Sequence, residues 1–366
     1  MSVLTGHEGA VTSGAFNGDG TRVVTCSADK AARVWDASTG RQIAVLPGHE
    51  QAVAKAAFSP DGAVIVTMSK GKPPRVWNTA DGQLIGILIG HEKDVSDFVF
   101  SQDGSRLATV SLEDQTARIW NLKTAKQVVV LKANAGYVTN AVFSHDGGRV
   151  VTSHWDGTVR IWDANTGATL LVLRGHEERV WEASFNANET RILTASLDRT
   201  ARVWDATTGT AIVVLKGHAG SVWSARFSPD NEHVLSWSAD STARLWNAST
   251  GVEIGVLRTH GYDVVDAIFD RQGTRVATRN SDNTVRIWRV FKSTAELIDQ
   301  AKVDVPRCLT PDEREKASLE REPPDWCVEQ QKWPYHDESW TQWLADRNAG
   351  RNPKMPPIKM TIRNGM

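Results

Sequence analysis

An all-β fold of seven four-stranded sheets, stacked side by side and closed into a ring, is what this sequence predicts, and three observations carry the prediction. Tryptophan recurs at Trp35, Trp77, Trp120, Trp162, Trp204, Trp246 and Trp288, a period of 42 residues with one slip to 43 between Trp77 and Trp120. Self-similarity at such a period marks a repeated supersecondary unit. Each copy holds four short apolar runs bounded by turn residues, in the fifth copy Val180 to Phe185, Arg191 to Ser196, Ala201 to Trp204 and Ala211 to Leu215. A sheet this small cannot bury both its faces, so neighbours must stack and the array must close to remove its exposed edges.

The connections agree with hairpins. Asn17-Gly18-Asp19-Gly20, Ser59-Pro60-Asp61-Gly62 and Asn186-Ala187-Asn188-Glu189 join the first two strands, and Thr207-Thr208-Gly209 turns the third into the fourth. Gly, Asn and Asp are the residues that tolerate positive φ in such turns. In the reference copy Gly175-His176 precedes the first strand, Ser196 and Asp198 flank the next turn, and Trp204-Asp205 ends the third strand. This spacing resembles the WD-repeat (WD40) family, over roughly residues 1 to 290. The resemblance implies a seven-bladed β-propeller whose N-terminal strand completes the last blade. It further implies a hydrogen-bonded tetrad of loop His, strand-b Ser or Thr, turn Asp and strand-c Trp. The matching residues are His176, Ser196, Asp198 and Trp204, with complete sets also at His7, Ser27, Asp29, Trp35 and at His218, Ser238, Asp240, Trp246. Partly buried His and Asp must satisfy one another, because an orphaned polar group costs more than its bond returns.

Taken in order, Ser2-Val3-Leu4 matches the end of an outer strand. About four residues are available against six in Arg41 to Leu46, so the seam between last and first blades is expected to be the weakest interface. Blade two places Gly71 where the turn Asp belongs and Pro73-Pro74 at the start of its third strand, which breaks the tetrad and loosens the turn or exposes Lys70 and Lys72. Blade three carries the extra residue near Ser111-Leu112-Glu113-Asp114. Blade four has Ala133-Asn134 for Gly-His and His154 for the Ser, and blade seven keeps His260, Asp282 and Trp288 with Thr259 and Asn280 as substitutes. Arg33, Arg75, Arg118, Arg160, Arg202, Arg244 and Arg286 stand two positions before each repeat Trp. A residue common to all blades serves the blade, its stem packed and its head paired, rather than a nucleic acid.

After Trp288 the pattern becomes helical. Ser293 to Glu296 forms a capping box for a helix to about Lys302, Thr310-Pro311 opens another to about Leu319, and a third spans about Glu338 to Asp346. Pro323-Pro324-Asp325-Trp326-Cys327 and Lys332-Trp333-Pro334-Tyr335 read as rigid aromatic connectors. The run from Val305-Pro306-Arg307-Cys308 through Tyr335 resembles a C-terminal extension of bacterial WD-repeat proteins, in which the propeller is often coupled to a signalling or effector module. The expected organisation is a propeller over 1–290, an extension over 291–346 whose aromatics dock on the propeller, and a disordered basic tail over 347–366. That tail carries Arg347, Arg351, Lys354, Lys359 and Arg363 and no acidic residue.

Charge narrows the partner class. Net charge is −1, and residues 1–291 balance 30 basic against 30 acidic side chains, so no nucleic-acid or membrane footprint is present. No apolar run is long enough to span a bilayer and the chain opens directly into the first repeat, from which a cytoplasmic location is expected. Cys26, Cys308 and Cys327 are too few for a disulfide framework, although a Cys308–Cys327 bridge is compatible with the spacing. There is no phosphate loop, nucleophile elbow or zinc-like spacing, so neither catalytic residues nor a cofactor or metal is expected.

The expected role is a non-catalytic scaffold for a protein or peptide, itself monomeric. The family resemblance implies that residues beside the strand-a Val and before the turn Asp point to the top face. Lined up across the repeats, those positions hold Tyr137 and Trp155 in blade four, Arg179 and Trp181 in blade five and Trp223 in blade six, with Asp94 and Glu113 on one flank and Asp263 on the other. Such residues dominate binding hot spots, although they could equally fill space between blades. An aromatic floor rimmed by carboxylates suits a basic or aromatic peptide. The alternatives are a sensor or regulatory module of a bacterial signalling or defence system with its effector on another chain, and, as a minor one, a propeller enzyme using Asp94, Glu113 and Asp263.

Overall fold

Each repeat folds as the alternation of its residues dictates. The computed structural model describes residues 2–133, 136–259, 261–291, 294–305, 307–316, 319–332 and 334–357; Met1, Asn134, His260, Ser293, Pro306, Trp333, Lys359 and Arg363 lie outside the described residues. The chain divides into two compact units, residues 1–289 and 290–366. The first comprises six four-stranded antiparallel sheets and a seventh of three strands, each paired in sequence order. Strands b are buried along nearly their whole length, as at Arg191–Ser196, because they are covered on both faces. This is the seven-bladed β-propeller architecture, each sheet a blade with strands a to d from its inner to its outer edge.

Consecutive blades share cores. Val24, Val34 and Leu46 of blade one meet Val53, Phe58, Ile65 and Trp77 of blade two. The same arrangement repeats between blades two and three, three and four, four and five, and five and six. Full burial of one such Val, Leu or Ile stabilises by about 1.5–3 kcal/mol. Side chains and carbonyls on the inner strands add links: Thr12 donates to the Val53 carbonyl at 2.6 Å, Thr139 to that of Val180 at 2.7 Å, and Ser224 to the Glu182 carboxylate.

The pattern stops between blades seven and one. Ile287 is 70 % exposed where its counterpart Ile161 is 1 % exposed, and Phe16 is 67 % exposed where Phe58 is 7 %. The N-terminal residues do not complete the seventh blade, which retains three strands. Instead Ser2 donates from its hydroxyl to the Ala37 carbonyl at 3.2 Å, and Ser2 and Val3 lie against Gly40 in the turn between strands c and d of blade one. Ser2 and Val3 are engaged by that turn, so they do not lie beside the third strand of blade seven.

Irregular blades compensate locally. In blade two Lys72 pairs with Glu50. Among the described residues, four of the seven repeated arginines have ion-paired heads, Arg33 with Asp29, Arg202 with Asp198, Arg244 with Asp240 and Glu253, and Arg286 with Asp282.

The second unit carries helices α1 (Thr294–Asp304), α2 (Pro311–Lys316), α3 (Asp325–Glu329) and α4 (Glu338–Asn348). At the start of α2 the Thr310 hydroxyl accepts from the Glu313 amide and the Glu313 carboxylate accepts from the Thr310 amide, a reciprocal capping box. The stretch read as a rigid connector contains α3. Tyr335, Trp340, Trp343 and Leu344 bury one another together with Val328, and the Tyr335 hydroxyl donates to the Leu309 carbonyl at 2.5 Å. The aromatic burial that motivated docking on the propeller is thus supplied inside the unit. Cys308 and Cys327 form a disulfide in this core, the bridge that their spacing left open. Two half-cystines 19 residues apart staple a unit too small to build a large apolar core. The segment expected to be disordered from residue 347 is packed through its first part. Arg347 pairs with Glu322 and Asp325, Trp343 donates to the Pro353 carbonyl at 3.2 Å, and Met355 lies against the core. Among the described residues no helix is long and apolar enough to cross a membrane.

The unpacked seam has a measurable consequence. Ile161→Ala should lower unfolding free energy by about 2–5 kcal/mol, whereas Ile287→Ala should cost under about 1 kcal/mol. Equal losses in urea titrations would mean that the seam is packed in solution.

Candidate functional site

The loops that carry the candidate surface are fixed by one hydrogen-bonded relay. In blade five the Trp204 indole donates to Thr194 Oγ1 at 2.9 Å, the same hydroxyl lies 2.7 Å from His176 Nε2, and His176 Nδ1 lies 2.7 Å from Asp198. A carboxylate only accepts, so Nδ1 carries the proton, Nε2 accepts from threonine, and the threonine oxygen is left to accept from the indole. His7–Thr25–Trp35, His91–Thr109–Trp120 and His218–Ser236–Trp246 repeat the arrangement. Gly175 precedes the histidine at φ +153°, where a Cβ would meet Arg202 at 2.6 Å and Trp204 at 3.2 Å.

The hydroxyl in the relay is therefore Thr194, and not Ser196. Ser27, Ser196 and Ser238, assigned to the tetrads from sequence, cap the following turn, accepting from the amides of Asp29, Asp198 and Asp240 at 3.0, 3.1 and 3.1 Å. A periodic signal for the missed residues exists, since Thr25, Thr67, Thr109, Thr152, Thr194, Ser236 and Thr278 recur with the repeat. Blade two retains its relay without the Asp, Ser69 lying 2.9 Å from His49 Nδ1. In blade four His154 comes from the strand itself and places Nε2 2.8 Å from Thr152, which also accepts from Trp162. Among the described residues its buried Nδ1 has no hydrogen-bond partner.

His49, His91, His154, His176 and His218 are held neutral. Burial pushes His49 and His154 down to about 4. It lowers His91, His176 and His218 as well, against the pull of their aspartates. Burial alone would raise Asp29 and Asp240, yet hydrogen bonds from ring and turn bring both to about 2.

Above this framework the predicted surface positions share one edge. The amides of Trp155, Leu197, Ala239 and Ser281 donate to the carbonyls of Tyr137, Arg179, Ser221 and Asp263, at 3.0, 3.0, 2.9 and 2.9 Å, so each strand-a start lies beside its own b–c turn. Trp181 and Trp223 are the extra residues of β-bulges, between the Val180–Ser196 and Glu182–Ala195 pairs and between the Val222–Ser238 and Ser224–Trp237 pairs. A bulge takes its residue out of the ladder and re-aims the side chain. Two aromatic groups result. Tyr137 meets Trp155 edge to face at 4.5 Å, and the Arg179 guanidinium lies over the Trp155 ring at 3.8 Å. Trp181 and Trp223 lie tilted at 6.0 Å, with Trp223 43 % exposed. Trp237 is buried core.

The acidic residues are not gathered onto these rings. Asp94 lines a cavity of about 150 Å³ with Gly71, Lys72, His91 and Lys93. Asp263 accepts from the Ser241 hydroxyl at 2.7 Å, and Glu113 is exposed on its own turn.

The repeat geometry has its counterpart in the comparison with known families. The WD domain, G-beta repeat (WD40) matches at residues 1–36, 40–70, 82–121, 125–163, 167–205, 209–247 and 251–289. The chain belongs to the WD40 family. The match pauses at 71–81, across the Gly71 turn and the two prolines of blade two. No curated protein matches the chain. Membership makes a protein-interaction scaffold the expected class of this WD40 propeller.

A pH dependence follows from the neutral relay. Folded-state pKa values lie below unfolded ones for both ring and carboxylate, so each contribution is complete above the unfolded value and lost on acidification. The melting temperature should be level above about pH 7, fall as pH drops from about 6.5 towards the histidine value of about 4, and fall further as the aspartates approach about 2. A melting temperature constant from pH 7 to 4 would contradict neutral buried histidines.

Proposed function

We propose that this WD40 propeller is a non-catalytic scaffold that binds a protein partner through the face formed by Tyr137, Trp155, Arg179, Trp181 and Trp223. The observation that carries the reading is the placement of Trp181 and Trp223 on bulges. Both indoles leave their ladders, and Trp223 keeps nearly half its surface in water. A tryptophan needed only for packing would sit as Trp237 does, inside the blade. Exposed aromatic and arginine side chains on a rigid framework lose little entropy on binding and cover much apolar area.

The expectation of a basic partner rested on open indole faces beside carboxylates. Arg179 covers the Trp155 face, and Asp263 is engaged by Ser241. Support therefore shifts to an apolar or aromatic side chain on the Trp181–Trp223 pair. A second reading, a regulatory module of a bacterial signalling system whose effector lies on another chain, is favoured by the separate compact unit at 290–366.

The test compares intact chain with a Tyr137→Ala, Trp181→Ala, Trp223→Ala variant, matched by circular dichroism, as bait in lysate of cells that express the protein. Loss of a bound protein only from the variant supports this face as the site. Identical capture by both would show that these aromatics are packing.

A further inference from the structure

We propose that Arg179, laid on Trp155, is a carboxylate-binding subsite of this face, and that the partner's contact segment carries an Asp or Glu side chain there. The proposal rests on the reading above and adds the charge of the partner at one defined point.

The argument is an excess of donors. Several arginines of the propeller have acceptors, Arg149 with Glu189, Arg202 with Asp198, Arg226 with Asp266 and Arg244 with Glu253. Arg179 is exposed, and among the described residues its only side-chain interaction is the stack on Trp155 at 3.8 Å. Among the described residues the indole nitrogens of Trp155 and Trp181 are buried without an acceptor. The Arg179 guanidinium is thus the exposed donor at this point of the two blades. The Tyr137 ring, edge-on at 4.5 Å, supports the indole from its other neighbour.

The stack also selects the shape of the ligand. A guanidinium whose central carbon lies 3.8 Å over a ring keeps N–H groups at its edge for a carboxylate in a two-point contact. A partner ammonium or guanidinium at this point would meet a like charge and would have to displace Arg179 from the indole. The surrounding charge limits the ligand in the other direction. Glu177 and Glu178 directly precede Arg179 and are exposed, so a polyanion would be repelled where a single carboxylate is not. The segment that fits is a peptide with one acidic side chain for Arg179 and an apolar or aromatic one for the Trp181–Trp223 pair.

The experiment pans a random peptide library displayed on phage against the full chain. The expected selected peptides carry Asp or Glu near an aromatic or apolar residue. Changing that acid to its amide in a synthetic peptide should weaken binding about tenfold, the scale of one hydrogen-bonded charge pair. Arg179→Gln should cost the same, and the two losses should not add. Peptides that depend on Trp223 but carry no acid, or whose acid is insensitive to Arg179→Gln, overturn the carboxylate subsite and leave the aromatic face standing. Displacement of the peptide by acetate alone would make Arg179 a small-anion site and overturn the protein partner at that point. Failure to select any peptide weakened by Trp223→Ala would overturn both readings.

Discussion

The propeller depends on a hydroxyl that is asked to do two things. Thr194 donates to His176 and accepts from Trp204, and Thr25, Thr109 and Ser236 do the same in their blades. The constraint is directional. A turn aspartate that can only accept fixes the tautomer of the histidine, the histidine fixes the orientation of the hydroxyl, and the hydroxyl leaves one lone pair for the indole. Strand b, strand c, the b–c turn and the loop entering strand a are thereby tied at one buried point. Each bond contributes only about 1 kcal/mol net, but a member removed leaves the others unsatisfied in a site closed to water. That asymmetry explains why the irregular blades repair the relay rather than abandon it. Ser69 stands in for an aspartate in blade two, and His154 reaches the relay from inside blade four.

Once the framework is held beneath, the residues above it are free to differ. The starts of strands a and the b–c turns form one edge in every blade, and the bulge after the first residue of strand a frees a side chain from pairing. Blades one and two spend these positions on small or basic residues, whereas blades four to six place Tyr137, Trp155, Arg179, Trp181 and Trp223 there. The surface is thus local to one arc of the propeller. The seam lies between blades seven and one, outside that arc, and Phe16 and Ile287 mark it by remaining in water.

Much of the fold was legible because its signal is periodic. The Trp spacing, the turn residues and strand alternation locate the strands of seven copies, and the edge positions of Trp181 and Trp223 follow by lining the copies up. What was not legible has identifiable causes. Ser196 and Thr194 are both hydroxyls two residues apart on one strand, and only geometry separates a relay from a turn cap. The stack of Arg179 on Trp155 crosses from one blade to the next, a contact that no alignment of repeats reveals. Cys308 and Cys327 sit in a segment without a repeat to align, so their pairing had no internal reference. The seam depends on where Ser2 and Val3 settle, and their contacts with the Ala37–Gly40 turn of blade one are a matter of local competition that residue type does not reveal.

The measurement that tests the relay most directly is equilibrium unfolding of Thr194→Val beside Thr194→Ser. Valine keeps the shape and removes the hydroxyl, whereas serine keeps the hydroxyl and has a natural precedent at Ser236. The relay predicts that valine costs at least about 2 kcal/mol more than serine, because histidine and indole are both left unpaired in a buried site. Valine as stable as serine would contradict the claim that this hydroxyl holds the blade together.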